Sequence, residues 1–120
     1  MDKLQAYHNF WSDFGWKAYD ETSVPDTAVL PYITYEASVD YFGSELALTA
    51  SLWSRSTSWV DITAKEKQIA EVIGDGGKLI PYTNGAFWIK RGNPWAQRMS
   101  EASDDSIRRI VLNLTIEFIN

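Results

Sequence analysis

The sequence predicts an α+β domain, an antiparallel-rich sheet of about five strands with two helices packed on one face. Three observations carry this expectation. From Arg109 to Phe118, every second residue is apolar (Ile110, Leu112, Leu114, Ile116 and Phe118), with Arg109, Asn113, Thr115 and Glu117 between them. The dipeptide Asn84-Gly85 separates two short apolar runs, a hairpin signature because both residues tolerate the positive φ of a tight turn. Near the N-terminus and after residue 63, apolar residues recur at the spacing of one helix face.

Taken in order, the first element is a helix from Asp2 to Phe14, with Leu4, Tyr7, Trp11 and Phe14 on one face, Phe10 widening the stripe and Gly15 closing it. Between Trp16 and Leu30, the polar run Asp20-Glu21-Thr22-Ser23 and Pro25 predict a loop. Pro31 opens a strand from Tyr32 to Val39, with Ile33, Tyr35, Ala37 and Val39 sharing a face. A turn at Asp40–Ser44 leads to a second strand whose Leu46, Leu48, Ala50 and Leu52 share a face, so the pair forms an antiparallel hairpin with one side buried. Thr63-Ala64-Lys65-Glu66 has the form of a capping box and predicts a helix starting there, with Ile69, Ala70 and Ile73 on its apolar side and Gly74-Asp75-Gly76-Gly77 ending it. Lys78–Tyr82 and Ala86–Arg91 are strands around Asn84-Gly85, and any helical reading fades at Gly92-Asn93-Pro94. In the last strand Ile110, Leu112, Leu114, Ile116 and Phe118 face the core, against Arg109, Asn113, Thr115 and Glu117.

At 120 residues the chain fits one domain, residues 1–120, since a chain of this size buries roughly two thirds of its extended surface around one core. A hydrophobic fraction of 45% and a charged fraction of 22% are those of a chain that folds. The absence of cysteine excludes disulfides, thiolate metal sites and cysteine nucleophiles. The N-terminus lacks a basic, apolar secretory leader, and no stretch reaches the ~20 apolar residues that span a bilayer, so the expectation is a soluble, cytosolically made protein. A net charge of -5 argues against sequence-independent duplex binding.

No residue pattern in the chain carries a recognisable chemistry. His8 is the one histidine, so neither a multi-histidine metal site nor a histidine-rich catalytic centre is available. The pairs Asp20-Glu21 and Asp104-Asp105 lack the spaced oxygen ligands of a calcium loop and are expected to be solvated loop charges. Gly74, Gly76 and Gly77 follow a helix, whereas a phosphate cradle must open one, because the helix N-terminus attracts the anion. With no Gly-x-Ser-x-Gly or P-loop pattern, neither an enzyme nor a cofactor is expected. Six tryptophans in so short a chain are the unusual feature. Trp11 belongs to the first helix's stripe, while Trp53, Trp59, Trp88 and Trp95 lie at outward strand positions or in loops, where core and interface readings both stand.

Several segments together resemble the tail-terminator proteins of long-tailed bacteriophages. These are Val29-Leu30-Pro31-Tyr32-Ile33-Thr34-Tyr35, the run from Leu48 to Ser54 leading into the capped helix at Thr63, the loop Gly92-Asn93-Pro94-Trp95-Ala96-Gln97-Arg98-Met99, and the strand Arg108-Arg109-Ile110-Val111-Leu112. The similarity extends over nearly the whole chain. It implies a structural protein of the virion, made in the host cytoplasm, that forms a ring, a hexamer, at the head-proximal end of the tail. Such a ring stops tail-tube polymerisation and offers the surface on which the head docks. Its implied partners are copies of itself, the tail-tube protein and a head-completion or neck protein, with DNA passing through unbound. The family has no catalytic, metal or cofactor residues to transfer. Aromatic or Arg character at outward or loop positions nominates Trp53, Trp88, Arg91, Pro94 and Trp95 as assembly-interface candidates. Other readings stay open: a head-closure or minor capsid protein, or an adaptor that binds a peptide along a sheet edge.

Overall fold

A computed structural model describes residues 1–37, 45–100 and 104–119. The expected turn at Asp40–Ser44, and Val39 before it, lie outside the described residues. The element order is α1 (Lys3–Ser12), β1 (Lys17–Asp20), β2 (Tyr32–Tyr35), β3 (Glu45–Arg55), α2 (Val60–Ile73), β4 (Lys78–Tyr82), β5 (Gly85–Ser100) and β6 (Ile107–Ile119). The strands form one sheet in the order β1-β2-β3-β6-β5-β4. The sheet therefore has six strands, and it is mixed: β1 pairs parallel with β2, and every other pairing is antiparallel.

The helix α1 begins because the Asp2 carboxylate accepts from the Gln5 backbone N–H at 2.8 Å, satisfying a donor that the first turn leaves unpaired. It buries Ala6, Tyr7, Phe10 and Trp11, with Phe14 just beyond its end. Leu4, expected in this stripe, is 46% exposed, so the buried face starts only in the second turn.

The start of α2 differs from the expected capping box. The helix begins three residues before Thr63, at Val60. Two serines organise the entry: Ser56 Oγ accepts from the Ser58 N–H (2.9 Å) and Ser58 Oγ from the Val60 N–H (3.1 Å). These short serine turns set the chain into the helix before Thr63 can act as a cap. Thr63 sits in the first turn with its own N–H bonded to the Trp59 carbonyl, and its hydroxyl is enclosed without a partner among the described residues.

The loop expected between Trp16 and Leu30 contains β1. Four residues, two of them charged, show no alternation of their own; the segment is extended because its register with β2 places Ala18 beside Ile33 in the core. The stretch Gly92–Met99, expected as a loop, continues β5 through an irregularity in which residues 92–95 stand opposite the single Asn113. Asn113 staples it, its Nδ2 donating to the Pro94 carbonyl (3.0 Å) and to Gln97 Oε1 (3.1 Å). Only glycine fits at position 92, where a Cβ would lie 2.8 Å from the Asn113 carbonyl oxygen.

The alternation in β6 appears as expected. Ile110, Leu112, Leu114, Ile116 and Phe118 are all buried, and β6 lies between β3 and β5 near the middle of the sheet. With Leu48, Ala50 and Leu52 of β3 and Phe87 and Ile89 of β5, they meet Tyr7 and Trp11 of α1 and Ile62, Ile69 and Ile73 of α2 in one core. Both helices cover that face. The residues of opposite parity form a second, helix-free face.

Candidate assembly surface

On the helix-free face, the strand registers bring distant parts of the chain into rows. Lys17, Tyr32, Trp53, Arg109 and Met99 stand side by side across five strands. The adjacent row is Tyr19, Thr34, Ser51, Val111 and Gln97. Cross-strand neighbours of this kind interact directly, because their Cβ atoms are only ~5 Å apart.

The first row is built onto the second. Trp53 Nε1 donates to Thr34 Oγ1 at 3.0 Å, and Arg109 donates from Nε and Nη2 to Ser51 Oγ at 3.2 and 3.1 Å. The Arg109 guanidinium lies 4.5 Å from the centre of the Trp53 ring, a cation–π contact. Tyr32 stands 6.5 Å from Trp53, and Tyr19 meets Tyr32 edge-on at 5.6 Å. Thr34 and Ser51 are buried, although no helix covers this face, because indole and guanidinium lie across them. The result is a fixed plate of aromatic and Arg side chains ending at Met99, 41% exposed. Little rotamer freedom remains to be lost when a partner lands on it.

The five candidates named from sequence do not form one patch. Trp53 is in this plate. Trp88 shares the face and is 39% exposed, but it pairs with Glu117, whereas Trp53 pairs with Arg109. Those partners are eight residues apart on β6, about 27 Å at the rise of an extended strand. The Trp88 indole donates to the Gly76 carbonyl at 3.0 Å, with the Lys90 ammonium 5.6 Å from its ring. Lys90 in turn forms an ion pair with Glu45. Arg91 pairs with Asp75 in the loop after α2. Pro94 is exposed at the β5 irregularity. Trp95 packs half-buried against the core with its indole N–H enclosed and unpartnered among the described residues, so truncating it disturbs packing as well as any contact surface.

Tyr32, Arg109 and Met99 were not singled out from sequence. Their only signal is the register, which sets Arg109 opposite both Trp53 and Met99; alternation assigns Tyr32 and Arg109 to the outward face without making them neighbours, and Met99 lies in the stretch expected as a loop.

His8, Asp20 and Asp104 have structural partners. His8 Nδ1 is 2.7 Å from the Tyr35 hydroxyl, and His8 Nε2 is 3.2 Å from Ser12 Oγ. Burial pushes the Tyr7 and Tyr35 phenols up, and the Tyr7 hydroxyl donates to the Glu36 carbonyl. Asp20 accepts from the Thr22 N–H and hydroxyl within its own turn. Asp104 accepts from the Ser106 hydroxyl (2.6 Å) and N–H (2.8 Å) and pairs with Arg55 at 3.4 Å; the Ser106 hydrogen bonds first, then Arg55, hold its carboxyl below the usual range. Among the described residues, no group of three or more His, Cys, Asp or Glu could hold a metal ion. No helix among them is long and apolar enough to cross a membrane. The glycine loop after α2 seats Trp88: Gly77 has φ +89°, and a Cβ there would come within 2.7 Å of the Ile89 carbonyl oxygen.

No protein-family model matches the chain, and no curated protein matches it. Among solved structures, the chain is similar to a chain of the virion of the native gene transfer agent (GTA) particle. The identity is 15% and the TM-score 0.62, covering 99% of this chain and 87% of that chain. At that identity the likeness is one of fold, and it extends over both layers, sheet and helices.

Proposed function

We propose that the chain is a structural component of a phage-like particle, working as one tail-terminator-like unit of 120 residues rather than as an enzyme. The observation that carries this reading is the fold likeness to a virion chain along nearly its whole length. The segments that resemble tail terminators support the finer assignment. In that assignment copies of the chain close into a hexameric ring at the head-proximal end of the tail, stop growth of the tail tube and provide the seat for the head. Partners are further copies, the tail-tube protein and a neck or head-completion protein. The particle is assembled in the host cytoplasm, and DNA passes the ring without specific contacts.

A closed ring needs heterologous contacts, one patch of each subunit meeting a different patch of the next. Terminating a tube needs one face that fits the tube and no copy of the surface that would seat another tube ring. The plate around Trp53 and Arg109 suits such a contact, since aromatic and Arg side chains on a rigid support dominate interface energetics. Trp88, Arg91, Pro94 and Trp95 are proposed to lie on the remaining assembly surfaces.

Light scattering on a sizing column across a concentration series, with and without assembled tail tubes, tests the reading. A closed oligomer, or a monomer that caps tubes and halts their growth, is the expected result. A chain that stays monomeric and leaves tube growth unchanged overturns it.

A further inference from the structure

A second surface, away from the plate, combines positive charge with apolar exposure at the start of α2. The Trp59 ring has the Arg98 guanidinium 4.8 Å from its centre and that of Arg108 at 5.3 Å. Beside it a shallow hollow of about 390 Å³ is lined by Trp59, Val60, Thr63, Ala64, Lys67 and Arg98. Val60 at its rim is 72% exposed. Arg108 donates to the carbonyl oxygens of Asp105 (2.6 Å) and Thr57 (2.8 Å), contacts that fix the guanidinium without cancelling its charge. The ion pairs Arg55–Asp104, Lys90–Glu45 and Arg91–Asp75 do not involve Lys67, Arg98 or Arg108. Asp61, in the same first turn, lines the neighbouring hollow with Arg55 and Lys65.

This patch contrasts with the rest of the chain. With Lys67, Arg98 and Arg108 set aside from the 11 cations, eight face 16 acids, so the remainder carries -8. The acids include an ordered loop after β1. Glu21 and Asp26 are exposed there, and Val29, at 79%, is the most exposed large apolar side chain among the described residues. The loop is already shaped by its own hydrogen bonds, Ser23 N–H to the Asp20 carbonyl and Ala28 N–H to the Pro25 carbonyl, so little ordering remains for binding to bring about. The strand β1, which the loop follows, and β5, which carries Arg98, are four strand spacings apart, roughly 19 Å.

We infer that the Trp59–Arg98 hollow is the docking site for the acidic Glu21–Val29 loop of a second copy of this chain. Lys67 and Arg98 face Glu21 and Asp26, while Trp59 and Val60 take Val29. The contact joins two different patches, the heterologous arrangement that a ring requires. It rests on the ring reading above and adds the surfaces that close the ring.

Charge reversal tests it at exposed positions. Lys67→Glu with Arg98→Glu, and separately Glu21→Lys with Asp26→Lys, are each expected to raise the dissociation constant of self-association at least about tenfold, through like-charge contact across the interface. The variant carrying all four substitutions should recover to within about threefold of the natural chain, because attraction is restored with the signs exchanged. Association of the natural chain should weaken as salt is raised. Melting curves for every variant confirm that it is folded, with Arg98→Glu and Glu21→Lys alone as milder replacements for any that is not. The assignment is overturned if either reversal leaves association unchanged, or if the folded fourfold variant does not recover. Loss of binding to tail tubes with self-association intact would give the hollow to the tube instead, and likewise overturns it. A natural chain that caps tubes but never self-associates sinks the docking assignment while leaving the terminal position standing; failure in both sinks the reading beneath it.

Discussion

Gly77 and Gly76 are neighbours with opposite constraints. Gly77 combines a φ of +89° with a close approach of the Ile89 carbonyl and the Lys90 side chain, whereas nothing lies within 4 Å of a Cβ on Gly76. Gly77→Ala should therefore cost about 2 kcal/mol or more in urea unfolding and change Trp88 fluorescence, and Gly76→Ala should stay within about 0.5 kcal/mol. Asp104 makes a prediction in pH. Its folded-state pKa is depressed, chiefly by Ser106, so its contribution is present above the unfolded pKa and lost as pH falls through the folded one. The melting temperature of the natural chain should exceed that of Asp104→Ala near neutrality, and the gap should close as pH drops through and below the usual carboxylate range.

At the scale of elements, the entry to α2 separates a sequence pattern from its physical role. Thr63-Ala64-Lys65-Glu66 matches a capping box, yet Ser56 and Ser58 already direct the chain, and the Thr63 hydroxyl is left enclosed. Replacing an unpartnered buried hydroxyl by a methyl group of the same shape removes a desolvation cost. Thr63→Val should be neutral or stabilising in thermal melts, where a working cap would lose about 1 kcal/mol. In β5 the strand survives Gly92-Asn93-Pro94 because Asn113 bonds to Pro94 and Gln97 across the irregularity. Those turn residues punctuate the strand without ending it.

For the whole molecule, what matters is that one sheet face is covered by helices and the other carries the Trp53–Arg109 plate. A charge placed at the edge of that plate should damage assembly without touching the core. Met99→Asp is expected to leave the melting temperature within about 2 °C of the natural chain, as surface substitutions do, and to weaken self-association or tube capping in the same light-scattering series. Unaltered assembly would remove the helix-free face from the contacts. The rows also explain why polar Thr34 and Ser51 are buried on an uncovered face: each supports a larger side chain laid across it.

The sequence by itself determined the α+β class, the buried parity of β3 and β6, the hairpin joining β4 to β5, although its turn residues are Thr83-Asn84 with Gly85 already in the strand, and the aromatic stripe of α1 from Tyr7 onward. These depend on periodicity and turn chemistry, which act between residues close along the chain. Tertiary structure alone decided that Lys17–Asp20 is a strand, that Arg109 lies on Trp53, and that Trp59 is flanked by Arg98 and Arg108. Each joins segments 15 or more residues apart through the pairing of strands, and register is fixed by the burial of a whole face. The candidate surfaces fall in that second group because an assembly surface is a property of which outward residues become neighbours.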